Sequence, residues 1–466
     1  MTRDDAIARS ERYFDSGQFL EDLRRRVAYP TESGVPARRP DIRAYLESEL
    51  VPAVRALGAT AAIHDNPGPR GGPLLLARRH EAGGLPTVLT YGHADVVPAE
   101  PERWRAGLDP WRVTVEGDRW YGRGSADNKG QHSINLAALD AVLKTRGRLG
   151  FNLMVLVESA EETGSPGLDE FARSHAGELR GDVLIGSDAT RVAAGKPTIF
   201  LGSRGSAPFT LRVALRERSH HSGNWGGLLR NPATVLANAI ASLTDGRGRI
   251  LIDALRRPDI PDDVRAALAT ITPGGGPDDP EVDADWGDPD LTPAERMAAG
   301  NTLEVLSLAA GSPDRAVNAI PGAAHAHLQL RYAPGTDVTA MPEAIRKHLD
   351  DRGFGMVEVI PGTVMHASRT DLAGPWVRFA AESLQRTAGS PPVLLPNIGG
   401  GLPNAVFTGI LGMPTVWVPH SYPACAQHAP DEHLLGSLAR DALRLMTGLF
   451  WDLGEAGRPG PWRPGG

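Results

Sequence analysis

Apolar and polar positions along the chain follow two different periods. GPLLLARR (72–79), PTVLTYGH (86–93), FNLMVLVE (151–158) and DVLIGSD (182–188) are short, nearly continuous apolar runs bounded by Gly, Pro or acidic residues. Runs of that length and flanking predict buried strands. Between them, 39–58 and 127–147 carry apolar residues at helical spacing and end on Gly58 and Gly147, which predicts amphipathic helices. Strands alternating with helices predict an α/β fold, its mostly parallel sheet covered by helices on both faces.

The texture changes after about residue 204. APFTLRVAL and the stretch 323–334 alternate residue by residue, as half-exposed strands do, with helical segments between them. Residues 273–293, rich in Pro, Gly and Asp, predict a long surface loop. Near 372 the first texture returns, with a helix over 374–388, a strand in PTVWVPH and a last helix near 431–452. We see no internal repeat. The expected organisation is a discontinuous catalytic domain, 1–204 and 371–466, interrupted by an α+β lid or dimerisation domain, 205–370.

Composition narrows the classes. At 466 residues two domains are expected, and a formal charge of −7 offers no basic field for nucleic acid. Four of the 49 basic residues are Lys, a bias without mechanistic content. The single cysteine, Cys425, can form neither an internal disulfide nor a cysteine-based metal site. No apolar run is long enough to span a membrane and the N-terminus lacks a hydrophobic signal core, so the expected location is the cytoplasm.

Candidate chemistry sits at strand ends. His93 and Asp95 follow one predicted strand, Glu161 and Glu162 another, and Asp188 a third; Asp127 lies where a Gly-rich turn becomes a helix. The late segment HSYPACAQHAPDEH adds His420, His428 and His433. Singly, each has a plainer reading: a solvated turn for the Glu pair, a hydrogen-bonded core residue for His93, a helix N-cap for Asp127, a turn for Asp188 and a surface loop for His428. Jointly they point to one site, because ligands in open α/β sheets bind beyond the carboxyl ends of the strands. A nucleotide-binding reading of YGRGSADNKG lacks the required glycine spacings.

The succession YGHADVVP, YGRGSADNKG, SAEETGSPGL, IGSD, SHHSGNWGG and QHAPDE resembles the signatures of the co-catalytic di-zinc amidohydrolases and peptidases, over residues 40–450. That family includes carnosinase-type dipeptidases, carboxypeptidase G-type enzymes and acetylornithine or succinyl-diaminopimelate deacylases; the texture here is most similar to the dipeptidase branch. The resemblance implies two divalent ions, zinc first with manganese or cobalt as alternatives. Asp127 would bridge them, His93 and Asp188 completing one site and Glu162 and His428 the other. It implies a hydroxide shared by the ions, Glu161 as general base, Asp95 as the residue orienting His93, and a cis peptide at Asp127–Asn128.

It further implies a homodimer in which His221 reaches the neighbouring active site. Asn318, Arg331, His366 and the loop at Gly401 would contact substrate. Arg204 lies at the expected lid junction, and hinges are expected near 203–206 and 367–372. Two positions depart from the family pattern. Asn128 stands where Asp is usual, a change expected to be tolerated. Gly401 stands where Ser is usual, which puts a plain dipeptide substrate in doubt. Trp225, Trp286 and Trp417 are expected in the core before a binding pocket. The leading expectation is hydrolysis of a peptide or amide bond in a small dipeptide-like or N-acyl amino acid substrate. The alternatives are a deacylase or hydrolase of another C–N bond, and a non-catalytic metal-binding protein.

Overall fold

In the computed structural model, which describes residues 1–274 and 280–459, the predicted strands assemble into one eight-stranded sheet. The order is Thr60–His64, Leu74–Arg79, Asn152–Glu158, Thr87–His93, Val183–Gly186, Thr415–Trp417, Thr198–Phe200 and Val393–Leu395. Its centre is parallel: Thr87–His93 runs with Asn152–Glu158 on one side and Val183–Gly186 on the other, and Thr415–Trp417 runs with Val183–Gly186. The strands from Thr60 and Leu74 join antiparallel at one edge.

The period of two explains why these strands read as unbroken apolar runs. Leu153, Val155 and Val157 enter one core, together with Ile134, Leu139, Leu443 and Phe450 of the helices Lys129–Arg146 and Gly436–Ala456. Met154 and Leu156 enter a second core on the opposite face, with Phe171, Phe407 and Trp417. Both faces are covered, so the successive positions 153–157 are all apolar.

The second alternating texture forms a four-stranded antiparallel sheet, Thr302–Ala309, Ala323–Tyr332, Gly205–Ala214 and Glu358–Pro361. Its inner face, with Phe209, Leu211, Leu328 and Leu330, packs on Leu236 of Pro232–Leu243 and Ile345 of Met341–Asp351. The intervening Ile260, Val264, Leu268, Leu291 and Ala298 pack instead with the second core of the large sheet.

Several expectations shift in detail. The helix over 39–58 is three consecutive segments, Arg39–Tyr45, Leu46–Leu50 and Val51–Ala56, the middle one a π-turn. The last helix starts at Gly436, because His433–Leu435 pairs as a strand with Arg119–Tyr121. The N-terminal helices Arg3–Asp15 and Gln18–Val27, absent from the sequence reading, bury Ala6, Phe19, Leu23 and Val27. The loop over 273–293 falls partly outside the described residues, as does the end of the segment 371–466; Glu281–Trp286 is exposed, but Leu291 is buried. Trp417 is fully buried and stacked on Phe200, whereas Trp225 and Trp286 are 44% and 52% exposed, against the core expectation. Neither lies within the three apolar clusters that fill the described interior. No described helix is long and apolar enough to cross a membrane.

Candidate metal centre

The parallel register brings the predicted residues together at one edge of the sheet. His93 is the last residue of its strand and pairs with Glu158, the last residue of the next. Glu161 and Glu162 open the turn after Glu158, and Asp188 follows Val183–Gly186. Asp127 precedes the helix Lys129–Arg146 after a cis Asp127–Asn128 peptide, as expected. Two ligand groups result, His93, Asp127 and Asp188, and Asp127, Glu162 and His428, with ligand atoms within 4.8 Å of one another in each. Asp127 belongs to both.

The atoms oppose one another in a way that asks for a cation. His93 Nδ1 lies 2.9 Å from the carbonyl oxygen of Asp95, which can only accept, so Nδ1 carries the proton. His93 Nε2 then faces Asp127 Oδ1 at 3.0 Å and Asp188 Oδ2 at 3.8 Å. On the other side His428 Nε2 is 3.0 Å from both Asp127 Oδ2 and Glu162 Oε2. A neutral imidazole lone pair against a carboxylate oxygen is repulsive unless a proton or a metal ion lies between. Asp188 Oδ2 and Glu162 Oε1 are buried without hydrogen-bond partners, which is costly for free carboxylates. Each group offers one imidazole and two carboxylates, a donor set that suits zinc, manganese or cobalt. The residues present fit a pair of divalent ions.

Electrostatics agree. Burial first, then the Asp127 charge, raises the Glu162 carboxyl to about 7, against the pull of His428 and His93. Burial raises Asp188 to about 6; His93 opposes this and Asp127 adds to it. Burial also holds Glu161 well above the carboxylate range, His93 again opposing and Asp188, Glu162 and Asp127 adding. Acids raised in the folded state stabilise it fully only below their unfolded values, and that stability is lost as pH rises through the folded values. The metal-free chain is therefore expected to lose stability between about pH 4 and pH 7 through Asp188 and Glu162. Bound cations remove that loss, so the Tm difference between metal-loaded and metal-free protein should widen from pH 5 to pH 8. A difference that stays flat or shrinks in calorimetry would contradict this account of the cluster.

Asp95 lies against the His93 ring. Its carboxylate lies 3.4 Å from His93 Nδ1, while its main-chain carbonyl takes the shorter contact. Asp95 Oδ1 and Oδ2 also accept the amides of Glu161 and Glu162, each at 3.2 Å. It fixes the turn that aims both glutamates. Asn128 is not among the ligand groups but braces two ligand residues: Nδ2 donates to the Ser187 carbonyl at 2.8 Å, beside Asp188, and Oδ1 accepts the His93 amide at 3.4 Å and lies 3.2 Å from His132 Nδ1. A Cβ at Gly92 would come within 2.7 Å of His132 and 3.0 Å of Asn128 Oδ1, so that close approach requires glycine. His420 is buried against Ser187 Oγ at 2.9 Å, and His433 against the Tyr422 hydroxyl at 2.5 Å, so both are packing residues.

Two residues without an assigned role hold the site from behind. Gln427 donates to Asp127 Oδ2, the oxygen that His428 also faces. Glu432 accepts the amides of Gly124 at 3.1 Å, Ala126 at 3.0 Å and Asp127 at 3.0 Å, and Arg123 Nη1 at 2.8 Å. This carboxylate is 1% exposed and ties the loop carrying Asp127 to the segment carrying His428. The sequence showed it only as the last letter of QHAPDE. Breaking such a buried pair costs about 3–5 kcal/mol, and loss of an orienting partner costs about 10–100-fold in metal affinity. Glu432→Gln is expected to show both in denaturant unfolding and metal titration; wild-type values in both would remove Glu432 from the site.

The other predicted residues fall into two places. His221 and Asn318 come together on a two-stranded ribbon, His220–His221 against Ala319–Ile320, where both are exposed. The Asn318 carbonyl accepts the Ser222 amide at 2.9 Å. Arg331 is half-buried at the end of its strand, its Nε donating to Gln329 Oε1 at 2.8 Å. A Cβ on Gly401 would meet Met365 Sδ at 2.6 Å and Arg331 Nη1 at 3.3 Å, so Met365 fills the space a serine there would need. Next to it, His366 lines a cavity of about 540 Å³ with Val364, Met365, Val406 and Ile410. Arg204 is buried, its Nε on the Gly399 carbonyl at 3.1 Å and Nη1 on that of Gly300 at 3.3 Å, a structural role at the junction.

A helix-covered sheet with two ligand groups sharing one aspartate at its carboxyl edge defines the class of α/β metallohydrolases. Residues 89–451 match the family described as Peptidase family M20/M25/M40, and the chain belongs to that family. Among its relatives is the cysteinylglycine-S-conjugate dipeptidase of Corynebacterium striatum, 29% identical over 347 residues, 71% of this chain and 73% of that one. The Beta-Ala-His dipeptidase of Mus musculus is 34% identical over 186 residues, but those are 39% of this chain and 37% of that protein. An M20 family metallo-carboxypeptidase from Sulfolobus solfataricus has the same fold, with a TM-score of 0.81 at 25% identity over 94% of this chain and 99% of that one. These likenesses bear out the dipeptidase branch, the fold class and a metallopeptidase activity.

Proposed function

We propose that this protein hydrolyses the amide bond of a small dipeptide-like or N-acyl amino acid substrate, with two divalent ions, zinc first, held by His93, Asp127, Asp188, Glu162 and His428. The observation that carries the reading is the shared Asp127 between two adjoining ligand groups, with Glu161 beside them. When bound, such ions supply Lewis acidity, which lowers the pKa of water and polarises the substrate carbonyl. Glu161 takes a proton from the attacking water onto its carboxylate and returns it to the leaving amine nitrogen. Asp95 holds the turn that aims it. Arg331 offers a guanidinium to the substrate carboxylate, and the cavity beside His366 takes a side chain.

The proposed organisation keeps 1–204 and 371–466 as the catalytic domain and 205–370 as the lid. Within the lid, the core shared by Ile260, Leu268 and Ala298 with the large sheet leaves only the flanking parts to swing. A homodimer fits the edge strand Thr302–Ala309, which exposes Val305, Leu306 and Leu308. In it, His221 of the partner subunit reaches the substrate carbonyl. Glu161→Gln and His221→Ala chains, each impaired alone, are then expected to regain activity when mixed, because one site of each mixed dimer is intact. No recovery, once mass spectrometry shows subunit exchange, would end the trans assignment.

The direct test is metal content per chain, with hydrolysis of a dipeptide and N-acyl amino acid panel before and after chelation. Two equivalents and chelator-sensitive turnover of a panel member support the reading. Turnover that survives complete metal removal overturns it, and two equivalents without turnover of any panel member point to another C–N bond or a binding role.

A further inference from the structure

Four helical segments, Arg3–Asp15, Gln18–Val27, Val51–Ala56 and Lys129–Arg146, surround a cavity of about 520 Å³ that shares no lining residue with the metal centre. Helix seams are ordinarily filled by large apolar side chains. Here the wall positions are small, Ala53, Ala56, Ala137 and Ala141, and the space stays open.

Charged side chains face it: Arg9, Arg12, Arg26 and Lys144 against Asp22 and Asp140. Both acids are already engaged. Asp140 Oδ2 pairs with Lys144 at 2.8 Å. Asp22 takes the Tyr13 hydroxyl, Gln18 at 3.1 Å and Arg25 at 2.8 Å.

Three guanidiniums remain in excess. Arg26 has an 8% exposed side chain, donates to Ser133 Oγ, and keeps a buried Nε with no hydrogen-bond partner. Its nearest carboxylate, Glu49, stands 4.0 Å away and is closer to Arg25, at 3.4 Å. Arg9 Nε has the Thr145 hydroxyl at 3.0 Å. Arg12 has no carboxylate within salt-bridge distance among the described residues. Arg12 is exposed and Arg9 partly exposed, so water serves them, but the buried Arg26 Nε is a costly donor to leave without an acceptor.

We propose that this cavity binds a small organic phosphate monoester, its dianion received by Arg9, Arg12 and Arg26 and its apolar body by the alanine walls with Leu57 and Leu136. Three cationic forks match a phosphate's oxygens and its double charge. The site adds a ligand to the protein that the peptidase reading does not require, and it stands or falls separately from that reading.

The test titrates the metal-loaded enzyme calorimetrically with phenyl phosphate. One equivalent is expected to bind per chain. In an Arg9→Gln/Arg12→Gln variant with wild-type peptidase activity, the Kd should rise roughly tenfold or more, the loss expected for two charge-assisted contacts. Arg26→Gln should act in the same direction if it folds. No binding to the wild type overturns the proposal. So does binding that the double variant retains in full, since that signal belongs to the metal centre.

Discussion

A Glu161→Gln enzyme is expected to keep both metal equivalents and its substrate KM while kcat falls about 10²–10⁴-fold, the usual worth of a positioned acid–base group. The change replaces an oxygen by an amide nitrogen of similar size, so packing in the turn is preserved. The main-chain amide of Glu161 still reaches Asp95 Oδ1, and the ligand contacts of Glu162 and His428 are untouched. What disappears is a group able to hold a proton between water and the leaving nitrogen. In the metal-free chain, burial and the neighbouring acids already hold this carboxyl well above the ordinary range. Divalent ions held beside it would pull that carboxyl down again, toward the ionised form that accepts a proton. A role confined to structure would instead lower metal content or Tm and leave kcat per loaded site alone. Retained metal with kcat within about threefold of wild type would remove Glu161 from the chemistry, since one such group is worth far more than that.

Glu161 was legible in the sequence because its strand is buried on both faces. Asn152–Glu158 enters two cores by alternate residues, and so reads as an apolar run whose end is marked by acids. The same holds for His93 and Asp188 at the ends of neighbouring parallel strands. Asp95 was legible as a partner of His93, but its hold on the Glu161 and Glu162 amides was not, because that contact depends on how the turn after the neighbouring strand closes. Glu432 was less legible still, since an acid in a turn-rich segment is ordinarily solvated, and three amides converge on it only after distant loops meet. The packing of Ile260–Ala298 on the large sheet was hidden by the Pro, Gly and Asp between those apolar positions. His221 was found by resemblance, and its ribbon in one chain leaves it exposed, so its chemistry depends on a second chain.

Removing the shared ligand should produce a different pattern from removing an unshared one. Asp127 Oδ1 meets His93 Nε2 at 3.0 Å and Oδ2 meets His428 Nε2 at 3.0 Å, so each oxygen serves one ligand group. Asp188 and Glu162 each belong to one group only. Asp188→Asn and Glu162→Gln chains are therefore expected to retain about one metal equivalent, in opposite sites, because each leaves all three protein ligands of the other group in place. Asp127→Ala removes charge from both sites at once and is expected to bind neither ion tightly. Its activity should fall roughly 10³-fold or more, because Lewis-acid stabilisation of several kcal/mol is lost and each 1.36 kcal/mol is tenfold in rate. Its fold should survive, since the large sheet and its two apolar cores do not depend on that side chain. Elemental analysis of the three variants decides the matter. Two ions retained by Asp127→Ala would show that the groups are independent and that the shared carboxylate is not what joins them. One ion retained by it would give Asp127 a single site, and the second group would need another bridging residue.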